Sequence, residues 1–407
     1  MISTVLLAAT LLAAPAAASS DDDAPGTAGW KLGRVDLGAY AGAFDGLGVR
    51  RDSGGAALLE GGVTPKFRSG DWTVEVPVRL KHQQTFGASL DSTYGSAYLT
   101  ANRRVAKGVR LGGTVGFSGN YRPDWPDLYQ PIPPDGARVG STDRYSYFAW
   151  HLRLHLTATP LPHNVLRLKY KYAHYGYTRD PNYDPTLSRV HLAPRDNGQH
   201  QLEASWRVHR DGYSVAAQLD VGRRNDEVLL ARTAGTGGVS SRHPYQTLNT
   251  VEPSVDLNLK RLGDRFDVSL TYGYQVQDDT YQGYYSYSGH HPRIVVDYAV
   301  TSRLSTRVKG ELWWREYGAS SKNPALTEDG KRLYDHKTDV EVSAGYALTG
   351  TVTARITGQW VRRLTNYPDY VPDFPAGNPN AYPAGKLYDI QWSYVNTQVL
   401  AGIEVKL

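Results

Sequence analysis

An all-β chain that crosses a membrane as an antiparallel up-and-down barrel of about sixteen strands is the architecture this sequence predicts, on three observations. Long stretches alternate between apolar and polar side chains, a period of two that sends the two sets to opposite faces of a ribbon. The links between these stretches alternate as well, short and then long. Nothing after the first eighteen residues is long and apolar enough for a membrane helix.

The clearest alternation runs from Phe148 to Tyr177. Phe148, Trp150, Leu152, Leu154 and Leu156 share one face, and His151, Arg153, His155 and Thr157 share the other. After a tight link holding Pro160 and Pro162, Leu166, Leu168, Tyr170 and Tyr172 oppose Arg167, Lys169 and Lys171. Each arm is about a dozen residues long, against the ~5–6 usual for a strand in a soluble sandwich and the ~9–11 that a tilted membrane strand requires.

In chain order, the apolar run from Val5 to Leu12 and the small residues Ala16 and Ala18 resemble a secretory signal peptide over 1–18. A periplasmic tether over 19–32 and a barrel over 33–407 follow. Arg34 to Phe44 is a first strand rich in Gly and Ala, whose small side chains leave its parity open, and Ala56 to Phe67 returns. Trp72 to His82 sets Trp72, Val74, Val76, Val78 and Leu80 against Thr73, Glu75, Arg79 and Lys81. Thr93 to Arg104 is ambiguous again, and Val109 to Tyr121 alternates well. Beyond the hairpin at 148–177, Gln199 to His209 pairs with Tyr213 to Arg224, and Thr250 to Lys260 with Arg265 to Gln277. Arg293 to Val300 then pairs with Leu304 to Tyr317, Asp339 to Leu348 with Thr351 to Arg363, and Tyr394 to Leu407 ends the series.

The short links, at 69–71, 106–108, 210–212, 262–264, 301–303 and 349–350, carry the Gly, Asp and Ser of tight hairpins. The long ones, at 122–144, 178–198, 225–245, 318–336 and 364–387, are polar and rich in Tyr, Pro and Gly. Composition agrees. A mean hydropathy of −0.47 suggests a soluble protein, but a barrel hides its lipid-facing residues among lumenal polar ones. The 29 tyrosines and 9 tryptophans suit membrane interfaces, and the absence of cysteine excludes disulfides, thiolate metal sites and a lipid anchor on cysteine.

On this pattern of strands and links the chain resembles Gram-negative outer-membrane β-barrels of porin size, and the likeness spans nearly everything after Gly33. The resemblance is architectural, without the motif of any one family. It implies short periplasmic turns, long outer loops, both termini in the periplasm, and contact with outer-membrane lipid and lipopolysaccharide. It also implies a last strand read by the outer-membrane insertion machinery. Val399, Ala401, Ile403 and Val405 keep the alternation, but the chain ends on Leu407 rather than Phe or Trp. Barrels of this size serve as uptake porins and as pores for polysaccharide export working with periplasmic export proteins. The resemblance does not separate the two.

If Trp, Leu and Val face lipid, the opposite parity faces water. Its basic residues are His151, Arg153, His155, Arg167, Lys169 and Lys171, joined by Arg79 and Lys81 and by Arg307, Lys309 and Arg315. Its acidic residues are Glu252, Asp256, Asp267, Asp297, Asp339 and Glu341. Segregated walls of unlike charge would set a transverse field across a pore and favour anions modestly; mutual pairing would instead rigidify or plug it. Arg179, Arg223–Arg224, Arg315 and Arg362–Arg363 stand at outer strand ends, where adjacent residues point to opposite faces. One arginine of each pair would enter the mouth and the other meet lipopolysaccharide phosphate.

The outer loops carry Trp125, Tyr129, Tyr281, Tyr284, Tyr285 and Tyr287, either a saccharide-contacting set or an interfacial girdle with loop packing. Catalysis is not expected. His151 and His155 lie four apart on a strand, about 13 Å at 3.3 Å per residue, too far to share an ion. His290 and His291 are read as loop neighbours, and no serine sits in a nucleophile elbow. No metal or cofactor is implied, and the dispersed basic excess, net +5, gives no nucleic-acid partner.

Overall fold

The computed structural model describes residues 29–47, 52–86, 91–122, 146–177, 196–232, 242–262, 265–318, 332–366 and 393–407. The signal-peptide reading, Trp125, Tyr129 and Arg179 lie outside the described residues. Every regular element among those described is a β-strand. In order they are β1 (Gly29–Leu47), β2 (Asp52–Ser69), β3 (Trp72–Glu75), β4 (Val78–Phe86), β5 (Ser92–Ala106) and β6 (Val109–Tyr121). There follow β7 (Tyr147–Ala158), β8 (Asn164–Tyr177), β9 (Asn197–Arg210), β10 (Tyr213–Leu230), β11 (Tyr245–Leu262) and β12 (Phe266–Asp279). The last five are β13 (Tyr287–Ala299), β14 (Leu304–Tyr317), β15 (Tyr334–Ala347), β16 (Val352–Thr365) and β17 (Tyr394–Lys406).

These seventeen segments make sixteen crossings, because β3 and β4 are halves of one strand. Both halves pair with β2 and with β5 in continuous register, Lys66↔Glu75 leading on to Val63↔Val78. Pro77, which has no N–H to give to the ladder, interrupts the pattern. Neighbouring strands still bond across the break, the Val76 N–H to the Pro65 carbonyl and the Tyr98 N–H to the Pro77 carbonyl, each at 3.0 Å.

Each strand pairs antiparallel with its sequence neighbours, and β1 pairs with both β2 and β17, which closes the sheet on itself. At the closing seam β1 and β17 lie so near that a Cβ on Gly42 would overlap the Val399 carbonyl, and one on Gly402 the Ala39 carbonyl. The small residues that obscure the parity of the first strand therefore have a packing role. At the short-turn end, Gly108 (φ 75°) and Gly212 (φ 77°) adopt the left-handed backbone that tight hairpins require. His163 (φ 65°) does the same in the turn between β7 and β8, where a side chain tolerates it less readily.

Burial is inverted relative to a soluble protein. Trp206 is 54% exposed and Trp360 36%, along with Leu154, Val255, Ile356 and Ile403 on the convex face. On the concave face Ser118, His151, Glu203 and Ser214 are buried. A protein that puts tryptophans such as Trp206 and Trp360 outside and its carboxylates inside is solvated by hydrocarbon on one side. Strands run further toward the long loops than the alternation indicates: β10 continues to Leu230, β11 begins at Tyr245 and β13 at Tyr287. The first strand likewise begins at Gly29, inside the stretch read as tether.

Candidate functional site

The polar wall of the barrel is the candidate site. Flanking exposed apolar residues fix its parity: Leu166 and Leu168 face out, so Arg167, Lys169 and Lys171 face in, and Val251 and Val255 do the same for Glu252 and Asp256. The same rule turns Arg79, Lys81, His151, Arg153, His155, Arg307, Lys309 and Arg315 inward, with Asp267, Asp297, Asp339 and Glu341.

Register then decides who meets whom. Lys169 of β8 lies directly across from Glu203 of β9, so Lys169 and Lys171 both bond that one carboxylate, the latter at 3.2 Å. Asp256 meets Arg207 at 3.6 Å and accepts the Thr271 hydroxyl at 2.7 Å. Asp297 pairs with Arg307 and Asp339 with Lys337, each at 3.6 Å. Asp335 takes a bidentate Arg363 at 2.7 and 2.8 Å, and Glu404 meets Arg355 at 2.6 Å. Of the two expectations, segregated walls or mutual pairing, these contacts show pairing, with cross-strand neighbours interleaving the signs over this part of the wall. Among the described residues Arg79, Lys81 and Arg167 make no ion pair within 4.0 Å, and Arg153 lies over the Tyr98 ring, 5.1 Å from its centroid.

His151 and His155 are held singly, as their separation requires. His151 Nε2 lies 2.8 Å from the Ser118 hydroxyl, and His155 Nε2 lies 2.7 Å from the Asn102 amide oxygen. His290 and His291 belong to β13 rather than to a loop, and their side chains do point apart. His290 faces outward, bonded to the Tyr272 hydroxyl at 2.6 Å. His291 faces inward between Glu252, at 3.3 Å, and Glu311, at 2.8 Å, and stacks on Trp313 with centroids 3.4 Å apart. Lys309 adds a bond to Glu311 at 2.9 Å. Sequence reasoning missed this cluster, since it comes from three strands and is visible only once their register is known. Among the described residues no group of His, Asp and Glu is arranged to hold a metal ion.

At the outer rim the arginine pairs split as strand geometry requires. Arg223 and Arg362 point outward, while Arg224 bonds Asp226 and Arg363 bonds Asp335 on the inner side. The hairpin between β12 and β13 folds over its own tyrosines. Tyr284 and Tyr287 are buried; Tyr284 packs edge-on to Tyr285 at 4.8 Å, and Tyr281 lies 5.0 Å from His243. Arg315 caps Tyr287 at 5.0 Å.

Closed, antiparallel, sixteen strands round, apolar outside and polar inside, the chain has the fold of Gram-negative outer-membrane β-barrels. No protein-family model matches the sequence, and neither does any curated protein. Among solved structures it is similar to OprB of Pseudomonas putida, with 11% identity, 93% of this chain and 94% of that one covered, and a TM-score of 0.51. It is also similar to OmpT of Vibrio cholerae, with 10% identity, coverage of 95% and 99%, and a TM-score of 0.47. A bacterial polysaccharide outer membrane secretin matches at 8% identity, with coverage of 92% and 98% and a TM-score of 0.45. At these identities the likeness is one of fold.

Proposed function

We propose that the protein is a channel in the outer membrane of a Gram-negative bacterium, passing hydrophilic solutes, with saccharides or anionic polymers as cargo and both termini in the periplasm. One observation carries this reading: a ring of about sixteen strands is wide enough to enclose water, and its inner face is lined mainly by polar and charged side chains. Pairing of most lumenal charge argues for weak ion selectivity, set by the few basic groups left over. Outward Arg223 and Arg362 suit lipopolysaccharide phosphate, and the alternating last strand suits the insertion machinery. Polysaccharide export would add periplasmic export proteins as partners.

Planar-bilayer recording tests the proposal. Discrete conductance steps with a slight anion preference are expected from folded protein. Silence from protein whose folding is verified would remove the channel and leave a closed barrel acting as a surface receptor or adhesin.

A further inference from the structure

A cavity of about 410 Å³ opens into the lumen along β7 to β12, lined in part by Tyr175, Gln201, Asp220, Glu252 and Gln275. Beside it, toward the long loops, three rings face inward from two adjacent strands. Tyr147 lies 5.4 Å from Tyr175 and 5.5 Å from Tyr177, and Tyr175 and Tyr177 stack 6.5 Å apart. Parity separates them from the lipid-facing girdle, for Phe148, Trp150 and Tyr172 of the same strands point the other way. Aromatic rings facing water inside a barrel need a different account.

These rings also differ from Tyr287, another interior tyrosine. Tyr287 is 9% exposed, its hydroxyl spent on Gln275 and its face covered by Arg315. Tyr147 and Tyr175 are only half-buried, and among the described residues neither hydroxyl makes a hydrogen bond. The cavity next to them is rich in planar acceptors and donors. Asp220 accepts from Gln218 at 2.7 Å and from Gln201 at 3.4 Å, and Glu252 accepts from Gln275 at 2.8 Å. Its charge is close to balanced: Lys171 is held by Glu203 and Arg224 by Asp226, and a further cation in the lining, Arg153 over the Tyr98 ring, is set against the carboxylates of Asp220 and Glu252.

Resting on the channel reading above, we infer that this part of the lumen is a binding track for neutral saccharides: Tyr147, Tyr175 and Tyr177 receive the faces of sugar rings, and Gln201, Asp220 and Gln275 receive their hydroxyls. Aromatic faces supply apolar contact to the C–H side of a pyranose, while carboxylate and amide planes match vicinal hydroxyls in pairs. Balanced charge favours this cargo over an anionic polymer, which would require a surplus of unpaired cations at the cavity.

The test is current blockage in a planar bilayer, with maltohexaose, cellohexaose and an anionic galacturonate hexamer added to the long-loop side of the full-length channel. At least one neutral hexamer is expected to interrupt the current of the wild type. The Tyr147→Ala/Tyr175→Ala double substitution is expected to weaken that blockage about tenfold, a loss in line with two aromatic contacts. Tyr175→Phe, which keeps the ring and the fold, is expected to hold most of the blockage, and Gln201→Ala to weaken it independently of any aromatic change. Uninterrupted current from a conducting wild type with both neutral hexamers would overturn the track while leaving the channel standing. So would blockage by the galacturonate alone, or equal blockage of the double variant. Absence of any conductance would instead remove the channel reading and the track with it.

Discussion

The two flanks of the lumen handle charge in opposite ways. Along β11 to β17 acids are matched to bases at close range, as in Asp297–Arg307, Glu311–Lys309, Asp335–Arg363 and Glu404–Arg355. Along β4 to β8, Arg79, Lys81 and Arg167 have no carboxylate within 4.0 Å among the described residues, and Arg153 there has only an aromatic face. Total charge is therefore a poor guide to what a passing ion feels. The stitched flank stiffens the cylinder, and the unpaired flank sets the potential in the lumen.

The largest expected effect comes from inverting the unpaired flank. Replacing Arg79, Lys81 and Arg167 together with Glu should reverse the sign of the zero-current potential in a salt gradient; an unchanged potential would mean these side chains do not border the conducting path. On the stitched flank Asp335→Asn should leave selectivity nearly intact but weaken the barrel. Arg363 would lose its bidentate partner, and breaking a largely buried pair costs on the order of 3 kcal/mol. The readout is the temperature at which the folded, fast-migrating band in detergent gels disappears. Smallest is Glu203→Gln, which frees Lys169 and Lys171 and should nudge the zero-current potential further toward anions. A shift of the opposite sign would contradict the division between the flanks.

Much of this was legible in the sequence where bulky apolar residues alternate with charged ones. The run from Leu166 to Lys171 announces its own parity, and all sixteen crossings can be read in order. Where the side chains are small the signal fades, as in β1, because Gly and Ala differ too little in hydropathy to mark a face. The alternation also stops short of the strand ends. Beyond the hydrocarbon both faces of β10 and β13 meet water, so the alternation stops although the ladder continues. At the site, the inward cations were readable one strand at a time, but their partners were not. Glu203 sits at an inward position beside Leu202 and Ala204, and parity alone would have put it on the wall. That it neutralises two lysines depends on the offset between β8 and β9, which no single strand encodes.

The contact of Gly42 with Val399 and of Gly402 with Ala39 joins residues more than 350 positions apart. Until the final strand is in place, two rows of backbone amides and carbonyls stand open at the edges, and in a bilayer nothing else can satisfy them. Shortening the chain by one strand would therefore not yield a slightly narrower cylinder. Assembly is all or nothing, and a methyl group at either glycine would jam the clasp on which it depends.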